Sequence, residues 1–506
     1  MKIIKEINEK FKNTPDLITR KIKYKLRTVY IFYIETICSS ELINNFILKN
    51  LTNPNHKPSL SNILATPNFK NINKEQIEFY LYNGFTVILY KNHIYALETK
   101  ANLDRSISFP EIEQDLYGAK DSLVENYQKN IGLIKRRIKS SHLKTIEYKL
   151  GRYSKTATGL LYIDNIAKKE LVKELDNKLS NIDTDIIIDA GSLKQYLSKE
   201  SKNFFPPTKL TERPDVIVEA LLEGKVVIIL DTCPFAIITP AVLADFINPV
   251  SDKYLYNYNA NNLKILRLIC FFLTIFTPAF YIAIITYNHE TIPANLLTSF
   301  ITQNQGIPFP ATIETFFMLF ICEMLRESDI RFPSNYSSSI SILGALILGD
   351  AAVSANIVSP IMIIVTALTF ISSMIFNNVE LSGAIRAWRF LSLIIASFLG
   401  LYGVSLSIIF FIVNIASYQS FNLPYTFPVV PFNIPYLKET LYEGKKKDDT
   451  KRSKYLTNNL RKQRWQYEKN ITYLIFTTTM WLLQLYWIKR TRCSFDVNYR
   501  LSRKRI

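Results

Sequence analysis

Cysteine, histidine and glycine are scarce in this 506-residue chain, with 5, 4 and 14 copies. Cys38, Cys233, Cys270, Cys322 and Cys493 form no CxxC pair and are irregularly spaced. Neither a disulfide framework nor a zinc site is expected, and no metal or cofactor is predicted. His56, His93, His142 and His289 are scattered and read as surface or packing residues. The sequence lacks a GxxxxGK[ST] loop, a GxGxxG after a strand, GxSxG and HExxH. No enzymatic activity is predicted. An apolar stretch behind the start is also missing, since Met1-Lys2-Ile3-Ile4-Lys5-Glu6 runs into charged residues; a cytosolic N-terminal part without a cleaved signal peptide is expected. Lysine is absent between Lys264 and Lys438, yet dense on either side.

What is present explains that gap. The chain carries 61 Lys+Arg against 43 Asp+Glu, a net charge of +18, with 48% hydrophobic residues and a mean hydropathy of +0.07. These values arise when basic, water-soluble ends are averaged with an apolar middle, so a wholly soluble enzyme is excluded. No stacking-aromatic or arginine-rich motif accompanies the charge, and no nucleic-acid partner is predicted.

Residues 1–255 alternate strand-like and helix-like stretches. Val29-Tyr30-Ile31-Phe32-Tyr33-Ile34 reads as a buried strand, and Ser39-Ser40-Glu41-Leu42-Ile43 opens a helix with a serine cap. The pattern recurs at Gly159-Leu160-Leu161-Tyr162-Ile163-Asp164 and Lys169-Glu170-Leu171-Val172, in register. A second pair follows. Gly84-Phe85-Thr86-Val87-Ile88-Leu89-Tyr90 precedes Ala96-Leu97-Glu98-Thr99, and Gly224-Lys225-Val226-Val227-Ile228-Ile229-Leu230 precedes Ala236-Ile237-Ile238-Thr239. Hairpins are expected, turned by Lys91-Asn92-His93 and by Asp231-Thr232-Cys233-Pro234, with Asp231 and Pro234 as candidate turn residues. The expected fold is thus a two-lobed α/β domain over 1–255, with lobes at about 1–113 and 151–255 and a charged, proline-free linker helix over 114–150. Val226–Ile247 is apolar enough to suggest a membrane span, but Asp231, Pro234, Pro240 and Asp245 argue for soluble core.

An α-helical polytopic membrane domain is predicted over 256–430, followed by a basic C-terminal tail over 431–506. Candidate spans are Leu268–Tyr287, Ile340–Ile357, Ile361–Phe376 and Phe390–Val413, each near the ~20 residues that cross a bilayer. Lys264 and Arg267 place the start of the first span inside. Ile307–Leu325 departs from a plain span because it holds Pro308, Pro310, Glu314 and Glu323, with Arg326 next. Acidic groups cost roughly 2.5–3.5 kcal/mol at a bilayer centre, so they line water or find partners; Glu323 is expected to pair with Arg326 or Arg331. Gly344, Gly349 and Ala352 are candidate helix-packing residues. Asp350 among them is either a packing hydrogen-bonder or a group facing an aqueous path. Ile471–Ile488 in the tail is apolar but flanked by Lys and Arg, which favours an interfacial or packed helix over a crossing.

Several blocks are specific as a set: Thr211-Glu212-Arg213-Pro214-Asp215, Leu221-Leu222-Glu223-Gly224, Pro278-Ala279-Phe280-Tyr281-Ile282-Ala283, Gly306-Ile307-Pro308-Phe309-Pro310-Ala311, Glu323-Met324-Leu325-Arg326-Glu327, Ile357-Val358-Ser359-Pro360-Ile361-Met362 and Gly400-Leu401-Tyr402-Gly403. In their order and spacing the chain resembles the A subunits of spore germinant receptors, the GerA-type spore germination proteins, from about Asp16 to Val430. It departs from that pattern at Asp231-Thr232-Cys233-Pro234, where Asp-Gly-Ser-Pro is usual, at Asp350, where glutamine is common, and at Asn377, where proline is usual. The resemblance implies a multi-pass protein of the spore inner membrane, working with a transporter-like nutrient-sensing B subunit and a lipoprotein C subunit. It also implies a homo-oligomer, viewed as a pentamer, whose membrane domain is a nutrient-gated cation conduit; Asp350, Glu314 and Glu323 are the candidates to face it. A non-conducting scaffold and a secondary transporter are the alternatives. The Pro308/Pro310 break hints at a transporter, while few spans and no inverted repeat argue against one.

Overall fold

The computed structural model describes residues 2–12, 14–24, 27–49, 69–91, 93–101, 110, 113, 118–198, 203–304, 306–331, 349–376, 378–431, 452 and 456–457. Two five-stranded sheets organise the first half. Lobe 1 is built from α1 (Lys2–Lys10), β1 (Leu17–Tyr24), β2 (Arg27–Ile34), α2 (Ser40–Ile43), β3 (Phe69–Ile72), α3 (Ile77–Tyr82), β4 (Phe85–Tyr90) and β5 (His93–Glu98). Lobe 2 repeats the plan with α4 (Tyr127–Arg137), β6 (Leu143–Leu150), β7 (Thr156–Ile163), α5 (Lys169–Ser180), α6 (Ala190–Leu197), β8 (Lys209–Thr211), α7 (Pro214–Glu223), β9 (Val226–Leu230) and β10 (Ala236–Thr239). Strand order is β1-β2-β4-β5-β3 in one sheet and β6-β7-β9-β10-β8 in the other, so strands of the same rank occupy the same position. All neighbours are antiparallel.

Both repeated hairpins start from a glycine. Gly84 and Gly224 follow α3 and α7 with φ of 81° and 101°, a left-handed conformation that ends a helix at little cost only without a Cβ. Helices cover both faces of each sheet. In β9, Val227 and Ile229 face the core under α4 and α7, while Val226, Ile228 and Leu230 face the core under α5 and α6. A strand buried on two faces reads as a continuous apolar run. Each such side chain contributes about 1.5–3 kcal/mol on leaving water. That is why Val226–Ile247 resembles a membrane span: its strands, up to Thr239, form the centre of lobe 2, while Leu243, Phe246 and Ile247 pack against the helical half.

The linker helix expected over 114–150 is not what the structure contains. Helix α4 occupies only Tyr127–Arg137 and buries Ile131 and Ile134 in lobe 2, as the counterpart of α1 before the first strand. Residues Leu143–Leu150 are an edge strand paired to β7 from Leu143↔Ile163 to Leu150↔Thr156. Of its charged residues, Glu147 and Lys149 are exposed on one face, while Lys144 on the other face is buried and donates to Lys10 O. Lobe 2 therefore begins at α4.

Beyond α8 (Leu243–Ile247), the described part of the second half is helical: α9 (Asn257–Thr286), α10 (Ala294–Asn304), α11 (Ala311–Arg331), helical residues described over 349–354, α12 (Pro360–Met374), and a helical stretch Val379–Ser417. That stretch is interrupted at Gly400, with φ 58° and ψ −141°. Trp388 and Phe411 lie on opposite sides of the break, yet their rings are 5.2 Å apart; in a straight helix they would be about 35 Å apart. The stretch is therefore a hairpin of two helices, α13 (379–399) and α14 (401–417), both packed on α9. The single span expected at Phe390–Val413 is corrected to parts of two antiparallel helices. No polar residue marks the bend, because glycine alone supplies it. Of the other expected segments, Ile340–Ile357 is described only from 349, and Gly344 and Ile471–Ile488 lie outside the described residues.

After α14 the chain returns to lobe 2. A two-strand ribbon, β11 (Gln419–Ser420) with β12 (Leu423–Pro424), sets Phe421 against the lobe 2 core, and Lys178 lies 4.3 Å over its ring. Farther on, Thr457 bridges Ala167, and its hydroxyl donates to Ile166 O. In lobe 1 the matching residue, Cys38, bridges Lys100, two residues beyond the end of β5. The C-terminal segment thus fills in lobe 2 the place that local sequence fills in lobe 1.

Candidate functional site

The ionisable residues expected in the helical half fall into three settings. Glu314, in the first turn of α11, is 3% exposed. It accepts from Ser359 N at 2.5 Å and Ser359 Oγ at 2.6 Å. Both bonds go to Oε1, and since Ser359 caps α12 the carboxylate lies at the positive end of that helix. Tyr281 of α9 shares the Ser359 hydroxyl at 3.4 Å, which joins three helices at one buried point.

Glu323 lies farther along α11. Its expected partners were Arg326 or Arg331; instead it pairs with Arg389 and, at 3.1 Å, with Arg386, both on α13. A partner on the same helix would have to curl back, whereas α13 presents two guanidinium groups at positions i and i+3 on one face. Arg389 is 2% exposed, so the pair is buried between helices. Arg326 donates to Ser373 of α12 and stacks 5.5 Å over Phe370. Arg386, Arg389, Ser359 and Ser373 were not singled out from the sequence. Two arginines in an otherwise apolar helix, opposite a carboxylate in another, were the available signal.

Asp350 is exposed on the helical residues 349–354, while Ala352 is 8% exposed and packs with Tyr281 and Met318. Among the described residues, Ile363 Cδ1 is the nearest atom to a Cβ added at Gly349, at 4.0 Å. The three carboxylates are not brought together. In the soluble half, Asp231 ties its turn to a neighbouring helix. Its Oδ1 accepts from Tyr127 N at 3.0 Å, capping α4 from the β9–β10 turn. Pro234 is half-buried in the same turn.

Lobe 2 is linked to the helices through charge and packing. Asp252, 1% exposed, takes both guanidinium nitrogens of Arg267 on α9 at 2.6 and 2.8 Å. Lys194 of α6 pairs with Glu380 at the start of α13. Phe205 packs on Phe411 and Tyr425. Nearby, Arg213 grips Asp215, which also accepts from the Tyr254 hydroxyl at 2.8 Å. Lobe 2 thereby contacts both α9 and α13 through ion pairs.

The chain matches, over residues 5–455, the family described as Bacillus/Clostridium GerA spore germination protein. The chain belongs to this family. Among relatives, it is 37% identical over 361 residues to spore germination protein KA of Bacillus subtilis (strain 168), covering 71% of this chain and about two thirds (66%) of that one. It is 30% identical over 397 residues to spore germination protein XA of Bacillus anthracis, covering 78% and 80%. A B. subtilis protein named only as the membrane protein YfkQ is 32% identical, covering 81% and 82%. Among solved structures, the N-terminal domain of the A subunit of the Bacillus megaterium spore germinant receptor GerK3 is 28% identical with a TM-score of 0.37, covering 47% of this chain and 94% of that one. The arginine–glutamate contacts and the α13–α14 hairpin fall within the GerA match.

Proposed function

We propose that this GerA-family chain is the A subunit of a nutrient germinant receptor and forms, as a homo-oligomer in the spore inner membrane, a nutrient-gated cation channel that starts germination. It acts without catalysing a reaction, beside a transporter-like B subunit and a lipoprotein C subunit. The observation that carries the membrane reading is the helical half itself. Helices α9, α13 and α14 are apolar and packed side by side, and α13 would span about 30 Å at 1.5 Å per residue. Phe398, Tyr402, Phe410 and Ile412 are exposed on the hairpin, as suits lipid contact or a neighbouring subunit. The return of residues 418–427 and Thr457 to lobe 2 supports both ends of this region lying on one side, which Lys264 and Arg267 make the cytosolic side.

Conduction rests on the family's implied role and on Asp350, whose carboxylate is exposed in the protomer, where an oligomer axis would meet it. The non-conducting scaffold has one observation in its favour, that Glu314 and Glu323 are both satisfied within the protomer. The test is cation flux through the full chain in liposomes. Flux that falls or changes selectivity in Asp350→Asn, at equal protein level, supports the channel. Insertion without flux, alone and with B and C subunits, leaves the scaffold.

A further inference from the structure

We propose that the arginine cluster shared by α11, α12 and α13 binds the phosphate of an anionic phospholipid, using Arg326 and Arg386 with Arg389 beneath them. The proposal rests on the membrane reading above. Arg386 and Arg389 contact Glu323, and Arg326, three positions farther along α11, donates to Ser373 of the adjoining α12. The next acidic group on α11, Glu327, is exposed. Even with it counted, the described side chains leave a positive excess in an apolar setting, where unbalanced charge is costly.

A second observation points the same way. Arg389 is 2% exposed, and its Nε–H is a buried donor with no hydrogen-bond partner. Arg386 keeps a third of its side chain exposed, so the cluster opens to the surroundings of the helices. Position selects the ligand class. Arg326 and Ser373 stand near the C-terminal ends of α11 and α12, and Arg386 is two turns into α13, whose first turn Lys194 of lobe 2 holds through Glu380. This is the half of the bundle nearer lobe 2, from which a long arginine side chain reaches toward headgroups of the inner leaflet. Exposed apolar stripes, Phe317, Phe320 and Met324 on α11 and Ile364, Leu368 and Ile371 on α12, lead away from it as a bed for acyl chains. Guanidinium forks match phosphate oxygens in pairs.

The test uses the full chain in bilayer discs of phosphatidylcholine containing a minor share of phosphatidylglycerol, with co-purifying lipid measured by native mass spectrometry. The wild type should retain phosphatidylglycerol over phosphatidylcholine by about tenfold or more, as two basic contacts would provide. The double variant Arg326→Gln/Arg386→Gln should lose that preference, and Arg326→Lys/Arg386→Lys should keep part of it. If inorganic phosphate removes the retained lipid and by itself raises thermal stability to the same degree, the site takes free phosphate and the lipid assignment is overturned. Equal retention of both lipids by the wild type, or an unchanged preference in the double glutamine variant, also overturns it. Loss of the chain from alkaline-washed vesicles would instead refute the membrane reading, which is scored separately.

Discussion

At the scale of single residues, two buried charges make opposite demands on their surroundings. Burial alone would raise the Asp215 carboxyl, but hydrogen bonds from Arg213 and the Tyr254 hydroxyl hold it below the usual carboxylate value. Tyr254 in turn is pushed up to about 12 by burial and by its bond to Asp215. A depressed carboxyl adds stability that is full above its unfolded pKa, about 3.9, and lost as pH falls through the lower native value. The wild-type chain in micelles should therefore lose thermal stability more steeply below about pH 4 than Asp215→Asn does; parallel acid curves would remove Asp215 as a source. Glu323 poses the converse case. Replacing it with glutamine strands Arg389 in the helix interface at a cost of about 3–5 kcal/mol. Arg389→Met should recover much of that loss in the double variant. Strictly additive losses would mean that the two residues are not coupled.

Among elements, the hairpin at Gly400 decides how many helices pack on α9. A Cβ at Gly400 would stand 2.9 Å from Tyr287 Cβ, and the residue's φ of 58° is one that L side chains rarely adopt. Tyr287 completes the tip by donating to Ser397 O at 2.6 Å. Gly400→Ala should cost about 1–3 kcal/mol from backbone conformation alone, with the clash added. Gly306 is a control, since its φ is +93° but nothing lies within 4 Å of an added Cβ. Gly306→Ala should lower the melting temperature by clearly less than Gly400→Ala; equal effects would show that Tyr287 does not hold the tip.

For the whole molecule, the duplicated lobes meet across a buried ionic contact. Lys135 of α4 pairs with Asp16 just before β1, and Thr36 donates to the same carboxylate at 2.6 Å. The Lys135 side chain is 1% exposed. Lys144 and Ser141 of lobe 2 also reach lobe 1, donating to Lys10 O at 3.0 Å and to Glu78 at 2.6 Å. Asp16→Asn would leave a buried ammonium without its counter-charge, a loss of about 3–5 kcal/mol, with partial recovery on adding Lys135→Met. Hydrogen exchange should rise in both β1 and α4, because each lobe supplies one partner. A rise confined to one lobe would argue against a shared interface.

The duplication was legible in the sequence because it is carried by local signals: strand runs, hairpin turns and glycines at equal spacing. The apolar character of the second half was legible for the same reason, since the absence of lysine and the hydrophobic composition need no knowledge of contacts. Local pattern misled at Leu143–Leu150, where Glu147 and Lys149 are exposed but Lys144 is buried against lobe 1, so the charge of an edge strand resembles that of a solvated helix. Three matters were decided by tertiary structure alone. Glu323 finds its partners 63 and 66 positions away, and nothing near it in the chain names them. The bend at Gly400 interrupts a uniformly apolar run, in which one glycine is inconspicuous until its φ is seen. Thr457 completes lobe 2 from 290 positions beyond Ala167, a bridge that no periodicity records. Local periodicity reports which face of an element is apolar, whereas pairing across a fold depends on where separate elements come to rest.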